Sequence, residues 1–156
     1  MVTVKKILVP VDFSEFSINA LRYAVGFAGH FNAKIFLLYV METVSYYQDP
    51  AGVFMDRFEE VEREIEEEAR NQLNRTAGEE IGDSVSHETL IRRGRPFSEI
   101  NSAASQYDID LIIIATHGHT GVEHLLFGST AEKVVRKAPC PVLTLRKPAK
   151  GYKFKC

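Results

Sequence analysis

The chain has 156 residues, 45% hydrophobic and 26% charged, with a net charge of −2 at pH 7. That is the size and composition of one globular domain, and it excludes a disordered or fibrous chain. The mildly acidic balance offers no bulk attraction for nucleic acid or anionic lipid, and no run approaches the ~20 apolar residues of a membrane span.

No signal-like apolar segment follows Met1 to Lys6, so a cytoplasmic protein with no membrane and no nucleic-acid partner is expected. The first element is Lys6-Ile7-Leu8-Val9-Pro10-Val11-Asp12, a β-branched apolar run that reads as a strand. Ala20, Leu21, Ala24, Val25 and Ala28 then recur at helical spacing, with Ser14 placed to cap the helix. Lys34 to Val40 is a second continuous apolar run, as expected of a parallel strand covered on both faces. A loop with Tyr46, Tyr47 and Pro50 follows, readable as a lid or as a plain surface loop.

Phe58, Val61, Ile65, Ala69 and Leu73 mark the inner face of a long amphipathic helix. Its run of glutamates from Glu59 to Glu68 reads as a solvated outer face, with a docking surface as the alternative. Val85, His87, Thr89 and Ile91 alternate like a half-buried strand, and Phe97, Ile100 and Ala104 begin another helix after Gly94 and Pro96. Leu111 to Ala115 forms a buried strand that runs directly into Thr116-His117-Gly118-His119-Thr120-Gly121. Ser129-Thr130-Ala131-Glu132 has capping-box spacing, with Val134, Val135 and Ala138 as the inner face of the helix and Pro139 as its stop. Pro141 to Leu145 is the fifth strand, leaving one domain over 1–148 and a short tail over 149–156.

Five strands alternating with four helices predict an open parallel α/β sheet, in which ligands bind outside the carboxyl ends of the strands. Two features fall at such ends. Asp12 leaves the first strand, where it can hold ribose hydroxyls or a metal, or simply cap a turn. Gly118, nine further residues and Gly128-Ser129-Thr130 place a glycine and two hydroxyls at a helix start, an anion site by virtue of its free N–H groups and dipole. The structural alternative is a turn glycine followed by a capping serine.

Ala115-Thr116-His117-Gly118, the nine-residue spacer and Gly128-Ser129 resemble the nucleotide motif of the universal stress protein family: Gly, two residues, Gly, nine residues, Gly and a hydroxyl residue. The likeness continues through Lys6 to Asp12 and Ala138 to Leu143, so it covers nearly the whole chain. The resemblance implies a Rossmann-like sheet of order 3-2-1-4-5 with four helices on both faces. It also implies an ATP-binding regulatory protein of the stress response, with Mg or Mn as the accompanying ion and at most slow hydrolysis. Pro10, Val11 and Asp12 would border the adenosine, Val40 would lie against the adenine, and Gly118, His119, Gly128, Ser129 and Thr130 would surround the phosphates. Ala115 replaces the motif's first glycine; its methyl group either narrows the pocket or lowers nucleotide affinity. A homodimer through the last strand is also implied, which would cover Val142, Leu143 and Leu145 on an otherwise open edge.

Two other readings remain. Thr116-His117-Gly118-His119 is similar to a short nucleotidyltransferase signature, although that family carries it after the first strand. Ala115 also fits an interaction module of the same fold that no longer binds nucleotide. No catalytic residue is singled out. His117 and His119 lack the companions of a zinc site, and Cys140 and Cys156 are too few for a disulfide scaffold, Cys140 reading as a packing residue.

Overall fold

The computed structural model describes residues 3–42, 55–117 and 128–146. In chain order the elements are β1 (Lys6–Val11), α1 (Glu15–Phe31), β2 (Lys34–Met41), α2 (Met55–Glu80), β3 (His87–Arg93), α3 (Pro96–Gln106), β4 (Leu111–Ala115), α4 (Ser129–Lys137) and β5 (Val142–Leu145). All recorded pairings are parallel, and the sheet order is β3-β2-β1-β4-β5, as expected. Expectations for the loop holding Tyr46 and Tyr47, and for residues 149–156, lie outside the described residues.

Strand alternation sorts the core into two layers. Ile7, Val9, Ile35, Leu37 and Ile113 join Leu21, Ala24 and Leu73 of α1 and α2 on one face. Leu8, Phe36, Leu38, Ile112 and Ile114 meet Ile100, Ala104 and Val134 of α3 and α4 on the other. Because both faces are covered, β1, β2 and β4 are continuous apolar runs rather than alternating ones. β3, at the sheet edge, is only half-buried.

Pro10 explains where the sheet opens. It sits in the central strand, a poor place for a residue with no N–H to donate. The β1–β2 register runs from Lys6↔Lys34 to Val11↔Tyr39, but the β1–β4 register stops at Leu8↔Ile112. Pro10 therefore lies where the ladder to β4 has already ended. Strand order reverses between β1 and β4, so a crevice at their carboxyl ends is the expected ligand site of this topology.

The helix ends follow local chemistry. The Ser14 side chain accepts a hydrogen bond from the Ser17 N–H and caps α1, while Asn32 closes the same helix at a left-handed φ of 52°. Gly94 has a φ of 146°, and a Cβ there would stand 2.9 Å from the Glu99 Oε1. α4 stops before Pro139, with Ala138 as its cap. Two expected inner-face assignments fail. Val135 is 46% exposed while its neighbour Val134 is fully buried, and Val61 and Ile65 of α2 are exposed while Ala69 and Leu73 are buried. The hydrophobic spacing was right in each helix, but the facing layer covers only part of it. Cys140 packs against the α3–α4 layer. Burial pushes its thiol pKa up, and the nearby Asp110 charge adds to the shift.

Candidate functional site

At the end of β1 the chain makes a tight, self-bonded turn. The Asp12 Oδ1 accepts hydrogen bonds from the Ser14 N–H at 3.0 Å and the Ser14 Oγ at 2.5 Å. The Asp12 N–H donates to the Ser17 Oγ at 3.3 Å, and that hydroxyl donates to the Ser14 carbonyl at 3.0 Å. Between them Phe13 adopts a φ of 63°, a conformation costing a non-glycine residue about 1–2 kcal/mol. Its ring lies 4.7 Å from that of Tyr39 on β2, a contact that helps hold the strained residue in place. The Asp12 carboxylate is thus positioned by its own turn, and the turn-capping role considered from the sequence is present.

Across the crevice, α4 begins differently. The expected cap was Ser129 with Glu132 completing a capping box, but the cap is Gly128, one residue earlier, and among the described residues no side chain caps the helix start. The first bond of the helix runs from the Glu132 N–H to the Gly128 carbonyl at 3.0 Å. The N–H groups of Ser129, Thr130 and Ala131 therefore precede any intrahelical partner. With the cap moved back, Ser129 and Thr130 occupy the first turn itself.

Gly128 is needed for a reason the sequence did not disclose. Its φ is −69°, which any residue adopts, but its N–H donates to the Thr116 carbonyl at 2.6 Å. An added Cβ would lie 3.0 Å from that same oxygen. Thr116, 3% exposed, also donates its N–H to the Leu145 carbonyl at 2.8 Å. One buried threonine thereby ties the start of α4 to the ends of β4 and β5.

These two turns border a cleft of about 810 Å³, within the range of small-molecule sites. Pro10, Val11 and Asp12 reach it from β1, Val40 from β2, Ala115 from β4, and Gly128, Ser129 and Thr130 from the α4 start. Eight sequence-selected residues are thus brought together by four elements; Gly118 and His119 lie outside the described residues. Ala115 follows Ile114, which faces α3 and α4, so alternation turns its methyl group towards α1 and away from the cleft's apolar floor.

Sequence reasoning missed that floor, made by Leu38, Ile100 and Ile114, and the Phe13–Tyr39 wall. Strand alternation back from Val40 could have found Leu38, whereas nothing in the sequence marks Ile100 or Ile114 as a cleft residue rather than core. Ser17, also at the cleft, was legible from its three-residue spacing to Ser14. The charged lining residues among those described are Asp12 and Glu42, with no lysine or arginine. An anion placed here would therefore rest on the α4 N–H groups, its dipole and its hydroxyls. Among the described residues no group of three or more His, Cys, Asp or Glu side chains forms a metal cluster, and no helix is long and apolar enough to cross a membrane.

Comparison with known proteins gives a consistent answer. A profile for the universal stress protein family matches residues 3–146. Universal stress protein MJ0531 of Methanocaldococcus jannaschii is 36% identical over 146 residues, covering 94% of this chain and 84% of the relative. The solved structure of MJ0577, whose sequence relative comes from the same organism, superposes with a TM-score of 0.80 at 30% identity, covering 95% of this chain and 99% of that one. The universal stress protein from Archaeoglobus fulgidus, solved in complex with dAMP, shares the fold with a TM-score of 0.63 at 20% identity, covering 92% of this chain and 98% of that one.

Proposed function

Because the chain belongs to the universal stress protein family, we propose that its carboxyl-edge cleft binds ATP and that the protein acts as a nucleotide-dependent regulator in the stress response. The observation that carries this reading is the α4 start: a glycine cap held against Thr116, with no side-chain cap among the described residues, facing the Asp12 carboxylate across a cleft of nucleotide size. In this reading Asp12 accepts from the ribose hydroxyls, Pro10, Val11 and Val40 border the adenosine, and Gly128, Ser129 and Thr130 hold the phosphates. Gly118 and His119 complete the phosphate side, and Ala115 sits at the cleft's edge.

The cleft's described lining supplies two carboxylates and no fixed cation. A divalent ion, Mg or Mn, brought with the phosphates supplies the missing positive charge. The described lining holds a hydroxyl–imidazole pair, Thr116 Oγ1 and His117 Nδ1 at 3.0 Å, but on a threonine only 3% exposed, so binding rather than rapid turnover is the expected activity. The dAMP complex of the Archaeoglobus protein supports an adenine nucleotide as the ligand class. We place the protein in the cytoplasm, where ATP is available, as a homodimer joined through β5, whose outer side has no partner strand among the described residues.

The test is to denature freshly purified protein, identify released nucleotide by mass spectrometry, and titrate emptied, refolded protein with Mg-ATP while following its melting temperature. Ligand at ~100 times its dissociation constant adds roughly 2.7 kcal/mol to the folded state. Neither released nucleotide nor a melting shift would overturn the reading and leave an interaction module. Sustained turnover abolished by Asp12→Ala would replace the regulator with an enzyme. Light scattering that finds only monomer would remove the dimer.

A further inference from the structure

The outer half of α2 takes no part in the proposed nucleotide site. Val61, Ile65, Ala69, Leu73 and Ala77 stand four residues apart and form a single ridge. The lower three are buried at 8%, 1% and 2% exposure, while Val61 and Ile65 are 49% and 54% exposed. Arg93, the last residue of β3, reaches Glu62 at 2.8 Å and Glu66 at 3.1 Å, which puts this half of the helix level with the carboxyl edge of the sheet. Residues 60–68 carry six carboxylates and one arginine. Among the described residues Glu60, Glu64, Glu67 and Glu68 make no ion pair, the two used being Glu62 and Glu66.

The complementary charge is in the same chain. Residues 147–156, Lys-Pro-Ala-Lys-Gly-Tyr-Lys-Phe-Lys-Cys, hold four lysines and no carboxylate. Tyr152 and Phe154 alternate with Lys153 and Lys155, so an extended segment has an aromatic side and a basic side. This segment follows β5, at the same carboxyl edge. From β5 to β3 is four strand spacings, about 19 Å, and the six to eight extended residues from Arg146 to Tyr152 and Phe154 span up to about 20–26 Å.

We propose that residues 147–156 dock in an extended form on the exposed half of α2 of the same chain, with Tyr152 and Phe154 covering Val61 and Ile65. The lysine stems reach the flanking carboxylates, which places the ammonium groups among Glu60, Glu64, Glu67 and Glu68. Neither charge nor apolar area acts alone. Each half-exposed residue gains an aromatic cover, and each unpaired carboxylate gains a cation.

The test unfolds an equal mixture of unlabelled and heavy-isotope-labelled full-length protein, refolds it so that any subunits reassort, and treats it with a carbodiimide, which joins lysines directly to carboxylates. The Lys34–Glu88 pair, 2.7 Å apart, is the internal positive control. Docking within one chain predicts links from Lys150, Lys153 or Lys155 to the α2 glutamates in light–light and heavy–heavy form only. Links in mixed light–heavy form would overturn the proposal and assign the face to a second copy. Lys34–Glu88 links without any to α2 would overturn it outright. Independently, a nitroxide on Cys156 in a Cys140→Ala background should show a slow motional component, lost in 0.5 M salt at about threefold shorter Debye length than in dilute buffer and lost in the Val61→Ser/Ile65→Ser variant. Both substitutions are at exposed positions, so the fold survives them. A label equally mobile with and without them would also overturn the proposal.

Discussion

The starts of α1 and α4 face each other across one cleft and solve the same problem in opposite ways. Each helix leaves its first N–H groups without intrahelical partners. At α1 the protein meets that need itself: Ser14 caps the helix, Ser17 bonds back to Ser14, and Asp12 accepts from both the Ser14 N–H and hydroxyl. At α4 the cap is a glycine, among the described residues no side chain caps the first turn, and the Gly128 N–H is tied to the Thr116 carbonyl. The contrast teaches that a helix start satisfied by its own side chains serves stability, whereas one left open and held from behind has donors to offer, on our proposal to a ligand.

Breaking the open start should have the largest effect. Gly128→Val places carbon against the Thr116 carbonyl, where even a single Cβ would stand at 3.0 Å. It should cost about 1–3 kcal/mol of stability through overpacking and weaken ATP binding by more than about 100-fold, a loss of some 2.8 kcal/mol; calorimetric titration and thermal melting read the two effects. Asp12→Ala removes the acceptor for two Ser14 donors. The expected cost is about 1–2 kcal/mol of stability and about a tenfold loss in ATP affinity, since one charged hydrogen bond to the ribose goes with it.

The next pair sharpens the comparison directly. Ser14→Ala should lower stability by about 1 kcal/mol, the usual value of a cap, while ATP affinity stays within about twofold. Ser129→Ala should do the reverse, lowering affinity about fivefold through one lost hydrogen bond and leaving stability within about 0.5 kcal/mol. Urea melts and ATP titrations on both variants make a two-by-two test; if Ser129→Ala destabilises as much as Ser14→Ala, the α4 start is a structural cap after all. The smallest effect belongs to Ala115→Gly. Because its methyl group turns towards α1, restoring the glycine should leave affinity within about twofold and cost about 0.5–1 kcal/mol from the strand, measured by the same titration and melt.

Much of the site was legible in the chain because its residues lie at strand ends and helix starts, where residue type and local chemistry are tightly linked. Pro10, Asp12, Ser14 and Gly128 are all of that kind. Ser129 was assigned to the cap because its spacing to Glu132 fits a capping box, yet the carbonyl of Thr116 draws in Gly128 instead. A hydrogen bond between residues twelve positions apart outweighed a local pattern. The floor residue Ile100 was invisible for a similar reason: it is 2% exposed and spaced like any core residue of α3, and only the crevice beside it makes it a lining residue.

The sequence by itself determined the alternation of strands and helices and the presence of a glycine and hydroxyls beside an acidic strand end, because hydrophobic period and turn chemistry act over a few residues. The tertiary structure decided which part of each apolar stripe is covered. It left Val61, Ile65 and Val135 exposed, since burial depends on the length of the layer opposite and not on the helix's own pattern. It also decided why Gly128 must be glycine. That requirement comes from a carbonyl on another element, and contact between distant segments is set only when the sheet and helices pack.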